Sequence, residues 1–218
     1  MKKVGVIISG CGFLDGAEIQ ETVATLAALE NHDLEAVCFA PDKQQIHVVN
    51  HLTQSVSEGE ERNILVEAAR IVRGNISPLE ETSCDALDAV MIPGGFGVAK
   101  NLSDYAFKGA DMQIDPLVES VLKRAIEADK PVAAVCIAPI LLAKLLGDRS
   151  PNLTLGAEGG DSKNLESLGG KHKATSHEEV VVDEAMKLVT GPCYMLDASV
   201  GNIIRGADAV VAKLKSFL

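Results

Sequence analysis

The stretch PVAAVCIAPILLAKLLG (131–147) joins two periodicities without a spacer. Residues 131–136 form a continuous apolar run, which suits a strand covered on both faces. Residues 138–147 follow a helical pattern and place Pro139 in the first turn, where its missing N–H leaves no bond unmade. A strand running directly into a helix is the repeating unit of a parallel sheet, and Cys136 stands on the turn between them. Similar apolar runs occur at VGVII (4–8), LEAVCFA (34–40), LDAVMI (87–92), NLTLG (152–156), EVVVD (179–183) and MKLVT (186–190). Helical patterns occupy 17–30, 62–72, 116–129 and 197–218; in the first of these the apolar positions are Ile19, Val23, Leu26, Ala27 and Leu29. The alternation predicts an α/β fold, a flavodoxin-like three-layer sandwich with a mostly parallel sheet, helices on both faces and a nucleophile elbow at Cys136. VVVDEAMKLVT (180–190) predicts an antiparallel hairpin at one edge of that sheet.

At 218 residues with 47% hydrophobic content, the chain can fill one core, and no linker or repeat divides it, so residues 1–218 are expected to form a single domain. Twenty basic against 31 acidic side chains give a net charge of −11, which disfavours nucleic acid and anionic membrane surfaces as partners. The apolar run at 4–8 is shorter than a signal-peptide core of roughly 7–15 residues and reads as a first strand. The five cysteines are odd in number, scattered and without a C-x-x-C pair. They predict neither a disulfide framework nor a zinc site, and reduced thiols point to a cytoplasmic location.

Sites in such sheets form where strands end and loops lead into helices. Three loops qualify. SGCGFLDGAEIQE (9–21) carries glycines spaced G-x-G-x-x-x-G, one residue longer than a dinucleotide fingerprint, so no cofactor is expected there. Its Asp15 is a candidate helix cap, and Glu18 falls in the first turn, where an acidic side chain complements the helix dipole. MIPGGFGVAKNLS (91–103) places Gly94 and Gly95 directly after a strand, exposing backbone N–H groups suited to an oxyanion hole. Asn101 and Ser103 follow as caps of the next segment or, for Asn101, as part of a pocket lining. The third loop is the elbow itself: a helix N-terminus beside Cys136 predicts a lowered thiol pKa. Cys11 and Cys193 are further candidates to line the same sheet end, whereas Cys38 reads as core. His47 and His51 lack the acidic or thiol neighbours that a metal site needs.

Three segments in this order and spacing, GAEIQETV (16–23), IPGGFGVAKNLS (92–103) and AAVCIAPILLAKLLG (133–147), resemble the class I glutamine-amidotransferase-like superfamily and its Parkinson-protein and intracellular-protease branch. The SGCG…DG…E opening, CFAPDKQQ…VVNHLT (38–53) and RNILVEAARI (62–71) extend the likeness to the enhancing-lycopene-biosynthesis, or glyoxalase ElbB, subgroup. The resemblance implies that Cys136 is the elbow nucleophile and that Glu18 hydrogen-bonds its thiol and holds a shared proton. It implies further that Gly94, Gly95 and the Ile137 N–H form the oxyanion hole, and that the chain is a homodimer. The activity implied is a cofactor-independent glyoxalase that converts glyoxal or methylglyoxal, small dicarbonyls, to glycolate or lactate. A non-catalytic redox sensor or regulator linked to isoprenoid biosynthesis is the alternative. The chain departs from amidotransferases and peptidases at residue 137, an isoleucine where those enzymes often place histidine; the next histidine is His172. Without an imidazole base, neither glutamine hydrolysis nor peptidase chemistry is expected.

Overall fold

The apolar runs become strands because most of their side chains are buried. In the computed structural model, which describes residues 1–218, β1 (Lys2–Ile7), β2 (Leu34–Ala40), the two-residue strands β3 (Val49–Asn50) and β4 (Ser55–Val56), β5 (Ser77–Pro78), β6 (Ala89–Ile92) and β7 (Val132–Val135) appear in chain order. β8 (Asn152–Leu153), β9 (Lys171–His172), β10 (Val181–Asp183) and β11 (Leu188–Gly191) follow, and the helices between and after the strands are α1 (Ile19–Asn31), α2 (Ile64–Ile71), α3 (Phe96–Lys100), α4 (Tyr105–Lys108), α5 (Pro116–Glu127), α6 (Pro139–Leu146), α7 (Gly160–Ser167) and α8 (Val200–Lys215). All four residues of β6, β7 and β11 are buried, as strands covered on both faces require. Seven strands form the main sheet in the order β10-β11-β7-β6-β1-β2-β5; all neighbours are parallel except β10, which runs antiparallel to β11 at one edge.

The chain moves outward from β1 to β2 in one direction and from β6 to β7 in the other. Right-handed crossovers then place the intervening helices α1 (Ile19–Asn31) and α5 (Pro116–Glu127) on opposite faces. The C-terminal helix α8 (Val200–Lys215) packs beside α1 and against β7 and β11, while α5 packs on β6. The helices start where caps are available. Asp115 accepts from the N–H groups of Leu117 and Val118 ahead of Pro116, and Ser199 and Asn202 cap α8 reciprocally. A single hydrophobic cluster runs through the sheet and both helical layers, with Ile7, Ile8, Met91, Ile92, Leu102, Ile140 and Leu141 fully buried.

The α/β class, the mostly parallel sheet and the antiparallel edge hairpin match the reading of the sequence. Two details differ. NLTLG shrinks to β8, which leaves the main sheet and pairs with β9. The far edge is closed by β5, only two residues ending in a proline that cannot donate to a ladder and so is tolerated there. The reversal of direction between β1 and β6 opens a crevice at their carboxyl ends, and the loops after β1, β6 and β7 meet there.

Candidate active site

The loops after β1 and β6 are laced together by their backbones. Glu18 N donates to Gly94 O at 2.9 Å, Phe96 N to Phe13 O at 2.8 Å and Gly97 N to Gly16 O at 2.8 Å. So close an approach leaves no room for side chains. A Cβ on Gly95, whose φ is 105°, would lie 2.4 Å from Glu18 N, and one on Gly94 would lie 2.2 Å from Cys136 Cβ. The Pro-Gly-Gly turn is therefore needed first for packing.

Asn101 holds the first loop from below. Its Nδ2 donates to Ser9 O (3.0 Å) and Asp15 O (2.8 Å), and its Oδ1 accepts from Ile46 N (3.0 Å). Asn101→Ala strands buried backbone groups and is expected to cost about 2 kcal/mol, a fall in Tm of roughly 4–8 °C. An unchanged melting temperature would show that the loop is held by other means.

Cys136 occupies the turn after β7 with φ of 60°, a left-handed conformation rarely adopted by a residue bearing a side chain. Its N–H donates to Gly191 O at 3.0 Å on β11, and its side chain is buried. The backbone N–H groups of Gly95 and Ile137 face the sulfur. Helix α6 (Pro139–Leu146) begins only three residues later, so the sulfur does not sit on the helix end. The expectation of a lowered thiol pKa is not met. Burial pushes the thiol well above its ordinary value, the neighbouring Glu21 carboxylate adds to this, and the two N–H groups offset only part.

Glu21, rather than Glu18, contacts the thiol. Its carboxyl is wholly buried, hydrogen-bonds the Cys136 side chain, and accepts from Tyr194 N (Oε1, 2.9 Å) and Gly94 N (Oε2, 3.1 Å). Burial pushes its pKa up to about 7; the Tyr194 N–H opposes the rise and the Glu18 charge adds to it. Glu18 is instead the N-cap of α1, its Oε2 accepting from Glu21 N at 2.7 Å, and burial raises its pKa as well. The register differs because the helix starts at Ile19, which places Glu21 in the first turn beneath the elbow. The face turned inward is Glu21, Ala24, Thr25 and Ala28, with Leu29, while Ile19 and Val23 point to solvent. Asp15, read as a cap, is buried and accepts from Val49 N at 2.6 Å.

The oxyanion-hole expectation divides. The Gly95 and Ile137 N–H groups are directed at the sulfur, but the Gly94 N–H is occupied by Glu21. A cavity of ≈ 560 Å³ opens over Cys136, and Glu18, Gly95 and Ile137 are among its lining residues. Asn101, Cys11 and Cys193 are not among them. Asn101 lies beneath the first loop, and Cys11 is half-buried near Glu67 and Arg70. Cys193 is buried beside Cys136 and Glu21 on a turn with φ of 43°, and burial raises its thiol pKa. Tyr105, Asp161, Asn164 and Tyr194 line the cavity without any signal in the sequence that marked them.

A strained cysteine on a strand-to-helix turn, a buried glutamate against its sulfur and paired N–H groups at the end of a parallel sheet define a nucleophile-elbow protein of the amidotransferase-like type. The model of the DJ-1/PfpI family matches residues 11–195, and the chain belongs to that family. It is 41% identical to the human glutamine amidotransferase-like class 1 domain-containing protein 3, mitochondrial, over 97% of this chain and 82% of that protein. It is 30% identical to the zebrafish (Danio rerio) ES1 protein, mitochondrial, over 96% of this chain and 86% of that one. Among solved structures, it superposes on an isoprenoid biosynthesis protein with amidotransferase-like domain from Ehrlichia chaffeensis with a TM-score of 0.91 and 33% identity, covering 100% and 99% of the two chains. The fold is shared more distantly with Drosophila melanogaster DJ-1beta (TM-score 0.56, 18% identity, 99% and 95% covered). Both curated relatives are named as mitochondrial, a different compartment from the cytoplasm expected from the thiols. No helix is long and apolar enough to cross a membrane.

Proposed function

We propose that the chain is a cofactor-independent glyoxalase-type enzyme that converts a 2-oxoaldehyde and water to the 2-hydroxy acid, with Cys136 as nucleophile and Glu21 as acid/base. The observation that carries this reading is the hydrogen bond between the Cys136 side chain and a fully buried carboxyl whose pKa lies near 7. The two groups share a proton as a pair, so the nucleophile is activated by an adjacent base instead of a standing thiolate.

As sulfur adds to the aldehyde carbon, Glu21 takes the thiol proton and returns it to the new alkoxide, giving a hemithioacetal. Glu21 then removes the hydrogen from that carbon as a proton and delivers it to the neighbouring carbon through an enediol. The product is a thioester, and no external oxidant or reductant is involved. Water adds to the thioester and the carbon–sulfur bond breaks, releasing the 2-hydroxy acid and restoring the thiol. The Gly95 and Ile137 N–H groups are positioned to hold charge developing on sulfur or oxygen. Gly94 contributes differently, by holding Glu21 in place.

The test is steady-state turnover of glyoxal and methylglyoxal against pH. Because the base must be ionised, kcat/KM is expected to rise with pH to a plateau, with an apparent pKa near 7. No turnover above a Cys136→Ala control rejects the enzyme, and a profile flat from pH 5.5 to 8.5 rejects Glu21 as the base. A regulator of isoprenoid biosynthesis, suggested by the name of the Ehrlichia protein, would use the same thiol as a sensor. An oxidation sensor reacts as a standing thiolate, and the raised pKa of Cys136 opposes that reading.

A further inference from the structure

Aromatic side chains are scarce in this chain, five Phe, two Tyr and no Trp, and most of them are gathered in one place. Phe13, Phe96, Phe107, Tyr105 and Tyr194 all line the cavity over Cys136, five of the seven aromatics. Aromatic rings ordinarily dominate cores, because burying them removes the most apolar surface from water. Here the core is built mainly from Ile, Leu, Val and Ala, with Phe39 and Tyr105 as its buried aromatics, while Phe13, Phe96 and Phe107 remain 42%, 49% and 54% exposed. Holding three phenylalanines half in water is unfavourable unless something apolar covers them.

The volume points the same way. A cavity of ≈ 560 Å³ lies in the range that holds molecules of drug-like size, whereas glyoxal has only four heavy atoms. Its charge is also one-sided. The lining includes the carboxyl groups of Glu18 and Asp161 and no Lys, Arg or His; outside it, Lys100 Nζ lies 5.4 Å from the centre of the Phe96 ring and donates to Leu14 O. The wall also carries a hydrogen-bonded polar cluster, in which Tyr105 Oη donates to Asp161 Oδ1 at 2.5 Å and accepts from Asn164 Nδ2 at 3.1 Å. Neither oxygen of Asp161 has a cation to offset it, so an anionic substrate group would meet repulsion there.

We infer that the preferred substrates are 2-oxoaldehydes with an apolar, ring-sized body and no negative charge, the body lying between Phe13, Phe96 and Phe107 and its far end reaching Tyr105 and Asp161. This inference rests on the glyoxalase reading for the reaction and adds the substrate class. It makes Phe107 and Asp161 specificity-determining, although neither touches the reacting atoms.

The experiment compares kcat/KM for methylglyoxal, phenylglyoxal and 4-carboxyphenylglyoxal. Phenylglyoxal is expected to exceed methylglyoxal by about tenfold or more, because the ring buries apolar surface that a methyl group cannot. The carboxylated analogue is expected to fall about tenfold or more below phenylglyoxal. Phe107→Ala should lower kcat/KM for phenylglyoxal far more than for methylglyoxal and so collapse the first ratio, with a melting curve to check the edge contact that Phe107 makes with His47. Asp161→Asn should narrow the second. Methylglyoxal turned over as well as phenylglyoxal would overturn the inference while the glyoxalase reading stands. If no aldehyde is turned over, that reading fails, and the pocket is read instead by alkylation of Cys136 with 2-bromoacetophenone and its 4-carboxy analogue, each normalised to glutathione. A preference of about tenfold or more for the neutral reagent upholds the inference, and equal normalised rates overturn it.

Discussion

Glu21→Gln and Cys136→Ala are each expected to lower kcat/KM for a 2-oxoaldehyde by about 10³-fold or more, while Glu18→Gln lowers it by less than about tenfold. The contrast follows from the two carboxyl positions. Glu21 is in hydrogen-bond contact with the Cys136 side chain and has no solvent exposure, which makes it the base nearest to the sulfur's proton. Glu18 caps α1 through one oxygen, and a glutamine amide oxygen can accept the same N–H from Glu21. Glu18 is thus a positioning residue, and its loss should appear more in KM and in the melting temperature than in kcat. Glutamine at 21 retains one acceptor but presents an amide NH₂ to Tyr194 N or Gly94 N, so the fold must be checked by thermal melting alongside the kinetics. If Glu18→Gln proves as damaging to kcat as Glu21→Gln, the proton does not travel through Glu21.

That contrast also marks where the sequence could be read and where it could not. Continuous apolar runs such as VAAV and AVMI announce doubly covered strands, because no polar alternation interrupts them, whereas the strand order emerges only in the folded sheet. The elbow was legible for the same reason: a buried strand met a proline-started helix with one cysteine between. The phase of α1 was not. Ile19 and Val23 define an apolar stripe by spacing, yet they face solvent; of that stripe Leu29 is buried, and the rest of the inward face is the weakly apolar Glu21, Thr22, Ala24, Thr25 and Ala28. A buried carboxylate among small residues is the signature of a functional helix face, and it is invisible to any reading that seeks the largest apolar side chains. The short strands β5 and β9 escaped notice because two residues carry no periodicity, and NLTLG overran the two residues of β8. Tyr105, Asp161 and Asn164 come together from distant segments, and only tertiary packing brings them to one wall.

The stability gap between the wild type and Glu21→Gln is expected to move against the wild type by about 3 kcal/mol between pH 4.5 and 8.5, roughly 6–12 °C in the difference of Tm. The sign follows from the direction of the shift. Burial lifts the folded carboxyl from its ordinary 4.5 to about 7, so folding favours its protonated form. Below the unfolded value both states hold the proton, and Glu21 imposes no penalty. Between about 4.5 and 7 the unfolded chain releases it while the folded chain keeps it, and stability falls as pH rises. Above 7 both states are ionised and the full deficit is present. Glutamine cannot titrate, and exposed groups such as Asp85 and Glu178, held low mainly by Arg124 and Arg205, contribute equally to both proteins and cancel in the difference. Cys136→Ala provides the second arm. Removing the thiol takes away a hydrogen bond that favours the Glu21 carboxylate, so the window should move to higher pH. A gap that stays constant from pH 4.5 to 8.5 would mean that Glu21 ionises as an ordinary carboxylate and holds no proton for Cys136.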